Sequence, residues 1–178
     1  TPLYSSAASD VYKRQVIGDK VADQDRPRRK ISLFFAPIKK DRLSFLIEKA
    51  VELGVTDLHP VLTDHTENRH VKTDKILKQI IEAAEQCERM DIPVLHAIAT
   101  LHALPKQCIY AAIERVDAAP FLSPQKGDVS ILVGPEGGWS ESEREMFATN
   151  DYIRPITLGP RILRAETASI AMLSKIAI

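Results

Sequence analysis

The chain has 178 residues, 44% of them hydrophobic and 27% charged, with 24 Lys and Arg against 24 Asp and Glu. That length holds one ordinary domain with a real core and little more, and the balanced charge excludes the global basic field typical of many nucleic-acid binders. Apolar runs are too short for a bilayer span, there is no basic-then-apolar leader, and two distant cysteines, Cys87 and Cys108, read as partly buried thiols in a reducing compartment. These features point to a cytoplasmic protein. A local basic face is available in Arg26, Arg28, Arg29 and Lys30 followed by Lys39, Lys40 and Arg42, which reads equally as a solvated loop and helix start.

Residues 1–15 are Ser/Ala-rich, without apolar periodicity or an initiator Met, and read as a non-native leader outside the fold. Regular patterning begins at Ile31, with a short apolar strand over 31–35 and a turn over 37–41. Helical spacing follows over 42–53 through Leu43, Leu46, Ile47, Ala50, Val51 and Leu53, stopped by Gly54. A strand is predicted over 56–62, a polar loop over 63–73, and a second helix over 74–90 through Ile76, Leu77, Ile80, Ile81, Ala84 and Cys87. Strands are predicted at 93–99 and 108–113, a surface connection at 117–127, and a buried strand at 129–133. Ser140 and Glu143 have capping-box spacing, so a helix should run to about Thr149. The last strand is placed at 152–158 and the last helix at 164–178. Strands alternating with helices predict an α/β fold, a mostly parallel sheet flanked by helices on both faces.

Two segments carry the functional signal. Ile131-Leu132-Val133-Gly134-Pro135-Glu136-Gly137-Gly138-Trp139-Ser140 and Ile156-Thr157-Leu158-Gly159-Pro160-Arg161-Ile162-Leu163-Arg164-Ala165-Glu166-Thr167-Ala168 each run from an apolar strand into Gly-Pro. Gly permits a sharp turn or a close approach, Pro fixes the turn, and two such loops at strand ends suggest one crevice. Neither loop is a phosphate-binding Gly-Lys-Ser/Thr loop or a Gly-x-Gly-x-x-Gly dinucleotide turn. Gly-x-Ser-x-Gly and His-Glu-x-x-His are also missing, which excludes the usual hydrolase and zinc-protease signatures. His59, His65, His70, His96 and His102 lack metal-ligand spacing and read as surface or satisfied core residues, so no metal is expected. What remains is a crevice of backbone amides and carbonyls, suited to a neutral adenosine.

The paired loops, with Ile47-Glu48-Lys49-Ala50-Val51-Glu52-Leu53-Gly54-Val55 and Ile81-Glu82-Ala83-Ala84-Glu85-Gln86-Cys87, resemble the SPOUT-class RNA methyltransferases over residues 28–178. The likeness is strongest to the RsmE-type enzymes, which methylate N3 of a uridine in 16S ribosomal RNA. The resemblance implies a C-terminal trefoil knot, a homodimer, S-adenosylmethionine as cofactor and the 16S rRNA or 30S subunit as partner. It also implies that residues 16–30 are the remnant of an N-terminal β-barrel, PUA-like RNA-binding domain, and that 31–178 are the methyltransferase domain. A knotted RNA-binding or ribosome-assembly module without turnover, and a ribose 2'-O-methyltransferase, are the alternatives.

On that resemblance the cofactor would lie against Leu132, Gly134, Pro135, Glu136, Gly138, Leu158, Gly159, Leu163 and Arg164. Removing the uridine N3 proton calls for a cation or amide donors at the carbonyl oxygens and a carboxylate to take the proton. Arg164 is assigned the first role and Glu166 the second, with Glu136 and Glu114 in reserve. The competing reading has Glu166 complementing a helix N-terminus and Arg164 holding a loop. Arg161 and Arg89 are expected to meet phosphates, although Glu88, where relatives have a small or polar residue, sets a negative charge beside Arg89. Trp139 suits a stacked base, a cofactor lid or a packing anchor. The apolar face of Ile170, Leu173 and Ile176 suits either a subunit interface or an internal core.

Overall fold

Residues 29–114 and 127–177 are described by the structure, a computed structural model. The proposed leader, most of the barrel remnant and most of the 117–127 connection lie outside them. The described residues form seven strands: β1 (Ile31–Phe35), β2 (Asp57–Leu62), β3 (Val94–Leu95), β4 (Ala99–Thr100), β5 (Ile109–Ala112), β6 (Val129–Val133) and β7 (Ile153–Ile156). Four α-helices accompany them: α1 (Lys40–Glu52), α2 (Thr73–Gln86), α3 (Glu141–Thr149) and α4 (Ala165–Ala177). The sheet order is β3-β2-β1-β6-β5-β7, with β4 also on β2, and every pairing is parallel.

Alternation along the strands sorts the core into two halves. Ile31, Leu33, Phe35, Ile131 and Val133 face α1, α2 and α4, while Phe34, Leu132, Ile109, Ala111 and Ile113 face Trp139 and Phe147 of the α3 side. β1 and β6 are buried at every position, as central strands covered on both faces should be. Leu173 and Ile176 of α4 belong to the first core. They are therefore internal residues, which is the second of the two readings of this apolar face, and of its three residues only Ile170 stays partly exposed.

The expected strand over 93–99 is two short pieces. His96 N–H bonds the Leu58 carbonyl, but the next donor β2 would offer on that side falls at Pro60, which has none, and the ladder breaks before β4 resumes beside Val61 and Leu62. The second helix ends at Gln86 instead of reaching Met90. Glu88, at φ 58°, closes it: Arg89 N–H bonds the Ala84 carbonyl and Glu88 N–H the Glu85 carbonyl. α1 ends in the same motif, with Gly54 at φ 83° and Val55 N–H on the Ala50 carbonyl. Cys87 is half-buried, as expected, whereas Cys108 is exposed.

On the α3 face, a polar stack extends the second core from Phe34 of β1 across β2 to His96. His59 lies parallel between Phe34 and His96, ring centroids 4.3 and 3.9 Å away, and the Asp57 carboxylate meets His96 Nε2 at 2.7 Å and Lys30 Nζ at 3.1 Å. Asp57, His59 and His96 present ligand atoms within 4.8 Å of one another. Imidazole planes only 13° from parallel share no in-plane point for a metal, and Lys30 already neutralises Asp57, so the cluster as placed is a salt-linked stack. Burial, which alone would raise the Asp57 carboxyl, is outweighed by hydrogen bonds from His96, Thr56 and Lys30, leaving it below its ordinary value. Burial first, and then the charge of His96, push His59 from 6.5 to about 4.

A Cβ on Gly54 would meet nothing within 4 Å, so Gly54→Ala tests backbone strain alone and should lower stability by about 1–2 kcal/mol in denaturant melts. As pH falls from 6.5 toward about 4, the unfolded chain binds a proton that folded His59 refuses, so stability should decline across that window. His59→Phe preserves the stack and should flatten this part of a melting-temperature profile recorded from pH 7.5 to 4.5; an unchanged slope would remove His59 as its source.

Candidate functional site

β5, β6 and β7 release their loops at the same edge of the sheet, and a cavity of about 810 Å³ opens there. Its walls come from 134–139, 157–165, the end of β5 at 112–114, and Arg42 in the first turn of α1. The volume lies in the range of small-molecule sites, and the position is the one expected for parallel sheets.

The first loop is built tightly. Gly138, at φ 69°, closes a turn by donating to the Pro135 carbonyl at 3.0 Å. Gly134 is required for a different reason: a Cβ there would sit 2.8 Å from the Trp139 ring. Trp139 is buried, its indole N–H donates to the Ala112 carbonyl at 2.8 Å, and Phe147 meets it edge-on with centroids 4.8 Å apart. Of the three readings open for it, Trp139 takes that of a packing anchor, and it borders the cavity from below.

Downstream, the capping box is present: Ser140 Oγ accepts from Glu143 N–H while the Glu143 carboxylate accepts from Ser140 N–H. The loop after β2 braces this region from a distance. Glu143 also accepts from Asp64 N–H at 2.8 Å, and Ser140 and Ser142 donate to the Asp64 carboxylate, holding it below its ordinary pKa. His65 Nδ1 lies 3.1 Å from the carbonyls of both Gly137 and Gly138, which require it to be the donor. Sequence reasoning missed Asp64 and His65, which stand more than seventy residues upstream of their partners with no local motif.

The second loop has fewer supports. Gly159 is held at φ 115°, and its N–H and carbonyl both engage Thr157 Oγ1, at 3.3 and 3.4 Å. Leu158, Gly159, Leu163 and Arg164 all line the cavity, as do Gly134, Pro135, Glu136 and Gly138, and this gathers the expected binding residues into one place. Leu132 is the exception, being fully buried in the second core and off the cavity wall. Arg161 and Arg164 are exposed at the mouth, and Ala165 and Ala168 leave room at the floor.

Two charged assignments change. Arg89 is nearly buried; its guanidinium donates to the carbonyls of Val51 and Val55 at 2.7 and 3.0 Å and pairs with Asp91. It therefore caps the C-terminus of α1 and is not positioned for a phosphate. Glu166 is 8% exposed and does not line the cavity; its Oε1 lies 3.9 Å from Arg42 Nε, and its buried Oε2 has no partner among the described residues. Its place in the first turn of α4 agrees with the helix-complementing alternative. The reserve carboxylates Glu114 and Glu136 both face the cavity.

The family model for the RNA methyltransferase domain matches residues 24–177. Ribosomal RNA small subunit methyltransferase E of Rickettsia conorii is 34% identical over 154 residues, covering 82% of this chain and 63% of that protein. The protein of the same name from Bacillus subtilis is 30% identical over 158 residues, covering 78% of this chain and 61% of its own length. The solved ribosomal RNA small subunit methyltransferase E of Neisseria gonorrhoeae, bound to S-adenosyl methionine, superposes with a TM-score of 0.70 at 31% identity, over 83% of this chain and 65% of that one. A Legionella pneumophila protein solved with bound SAM gives 0.72 at 31% identity, over 82% of this chain and 64% of that one. The chain thus spans somewhat under two thirds of these four proteins. On the match over residues 24–177 and the shared parallel-sheet architecture, the chain belongs to the RNA methyltransferase domain family.

Proposed function

We propose that the protein to which this chain belongs transfers a methyl group from S-adenosylmethionine to N3 of a uridine in 16S rRNA of the small ribosomal subunit. The observation that carries this reading is the convergence of both Gly-Pro loops on one cavity at the carboxyl ends of β5, β6 and β7. The chain's own groups fit such a cofactor. Gly159, Ala165 and Ala168 leave space for an adenosine, and the charged side chains on the walls are of both signs, Glu114 and Glu136 with Arg42, Arg161 and Arg164, which suits a nearly neutral nucleoside better than a triphosphate. The main chain of 134–138 and 158–163 would hold it, and when bound it supplies an electrophilic methyl group.

The uridine N3 proton lies between two carbonyls, so its loss spreads negative charge onto both oxygens. Arg164, exposed at the mouth, would stabilise that charge, and Arg161 beside it would hold a backbone phosphate. A local pair of arginines reconciles an RNA substrate with a chain of zero formal net charge. A C-terminal knot, a homodimer and a cytoplasmic location are part of the same proposal. None of the described helices is long and apolar enough to cross a membrane.

Calorimetric titration of the chain with S-adenosylmethionine and S-adenosylhomocysteine tests the reading directly. Saturable binding is expected, and Gly134→Ala should weaken it at least tenfold by forcing the Trp139 indole out of place, a strain of about 1–3 kcal/mol. Absence of binding by folded chain would favour a non-catalytic module. Arg164→Ala should retain the cofactor while slowing methylation of unmodified 30S subunits by about 10²–10³-fold; full turnover would remove Arg164 from the chemistry.

A further inference from the structure

The displacement of Glu166 from the cavity leaves the proton acceptor to be assigned, and this step rests on the function proposed above. Glu136 lies on the first loop with its side chain at the cavity wall. One oxygen, Oε1, is anchored: it accepts from Lys39 N–H, at the N-terminus of α1, at 3.3 Å, and Arg42 NH1 stands 3.9 Å away. The other, Oε2, has no partner among the described residues. A carboxylate held by one oxygen with the other free at a cavity wall is placed to take a proton. Glu114 also lines the cavity, but its carboxylate has no comparable anchor among the described residues.

Arg42 connects Glu166, which faces away from the cavity, to Glu136 at its wall. Its guanidinium lies 3.9 Å from Glu136 Oε1 and, through Nε, 3.9 Å from Glu166 Oε1, and it makes no hydrogen bond among the described residues. The first loop and the start of α4, which follows the second loop, are thus joined through a cation on a third element, with Glu136 on one side of it and Glu166 on the other. Removing Glu166 would leave Arg42 held only from the Glu136 side.

We propose that Glu136 is the catalytic proton acceptor, and that Arg42 and Glu166 are positioning residues that hold it at the cavity wall. The uridine N3–H bond breaks with its proton passing to the Glu136 carboxylate. The nitrogen electron pair forms the bond to the donated methyl group, and the pair of the broken carbon–sulfur bond remains on sulfur.

The test uses the 178-residue chain on 30S subunits reconstituted from transcripts carrying uridine or 5-fluorouridine, whose N3 proton is more acidic and needs less help from a base. Glu136→Gln should slow uridine methylation by about 10²–10⁴-fold, keep S-adenosylhomocysteine affinity within twofold by calorimetry, and recover most of its loss on 5-fluorouridine. Arg42→Ala and Glu166→Gln should show smaller losses with the same recovery, and Arg42→Lys should restore part of the rate. A Glu136→Gln enzyme as fast as the parent, or a loss equal on both substrates, overturns the assignment, as does an acidity-dependent loss in Glu114→Gln instead. A parent chain that methylates neither substrate overturns the function proposed above together with this inference.

Discussion

The contact between the Trp139 indole and Gly134 fixes the rest of the site. The ring occupies the space a Cβ at 134 would need, and its N–H reaches across to the last carbonyl of β5. The ends of two neighbouring strands and the turn between them are therefore one rigid piece. An indole buried on the α3 side also gives that helix, whose only fully buried apolar residue is Phe147, something to pack against. Where Trp139 borders the cavity, its wall is thus continuous with the second core, while Ala165 and Ala168 join its floor to the first, and a change in either core is felt there.

Charge is handled locally. Cations that look available in the sequence are engaged: Lys30 with Asp57, Arg42 between Glu136 and Glu166, and Arg89 on the carbonyls that end α1. Arg161 and Arg164 remain exposed where the cavity opens. Glu166 is the costly member of this arrangement. A buried carboxylate oxygen without a partner is unfavourable by about 1–3 kcal/mol or more, and the N-terminus of α4 together with a cation at 3.9 Å offsets part of that.

Much of this was legible in the sequence because it depends on periodicity and on residues with one backbone role. The buried runs at 31–35 and 129–133, the helical stripe ending at Gly54 and the Ser140–Glu143 box are all where the pattern places them. The errors share a cause. Glu88 terminates a helix in a conformation usually given to Gly, so no composition signal marks the end. Arg89 takes its phosphate role from chemical type alone, while Trp139 and Glu166 are left between competing readings, because a side chain's direction is set by packing that sequence spacing does not report: Arg89 turns to α1, Trp139 into the core, Glu166 toward Arg42. Asp64 and His65 were invisible because their partners are brought close only by the sheet, with β1 between β2 and β6.

The two loops are alike in sequence yet unlike mechanically. The first is tied by the Trp139 indole, by His65 on two carbonyls, by Asp64 on Ser140 and Ser142, and by Lys39 on Glu136. The second is shaped mainly by Thr157 folding back on Gly159, and it exposes Ile162 to solvent at 58%. Local opening has a low free-energy cost where few buried contacts and hydrogen bonds must be given up, so the second loop is the wall less constrained by the fold. Its glycine is required for a backbone angle, whereas Gly134 is required for space. A side chain at Gly159 meets no neighbour and distorts only the loop that carries it, while one at Gly134 displaces an indole on which two strands and a helix depend. The Gly-Pro repetition in the sequence therefore hides a division between a heavily braced wall and a lightly braced one, and Arg42 links the first to the start of α4 through two ion pairs at 3.9 Å.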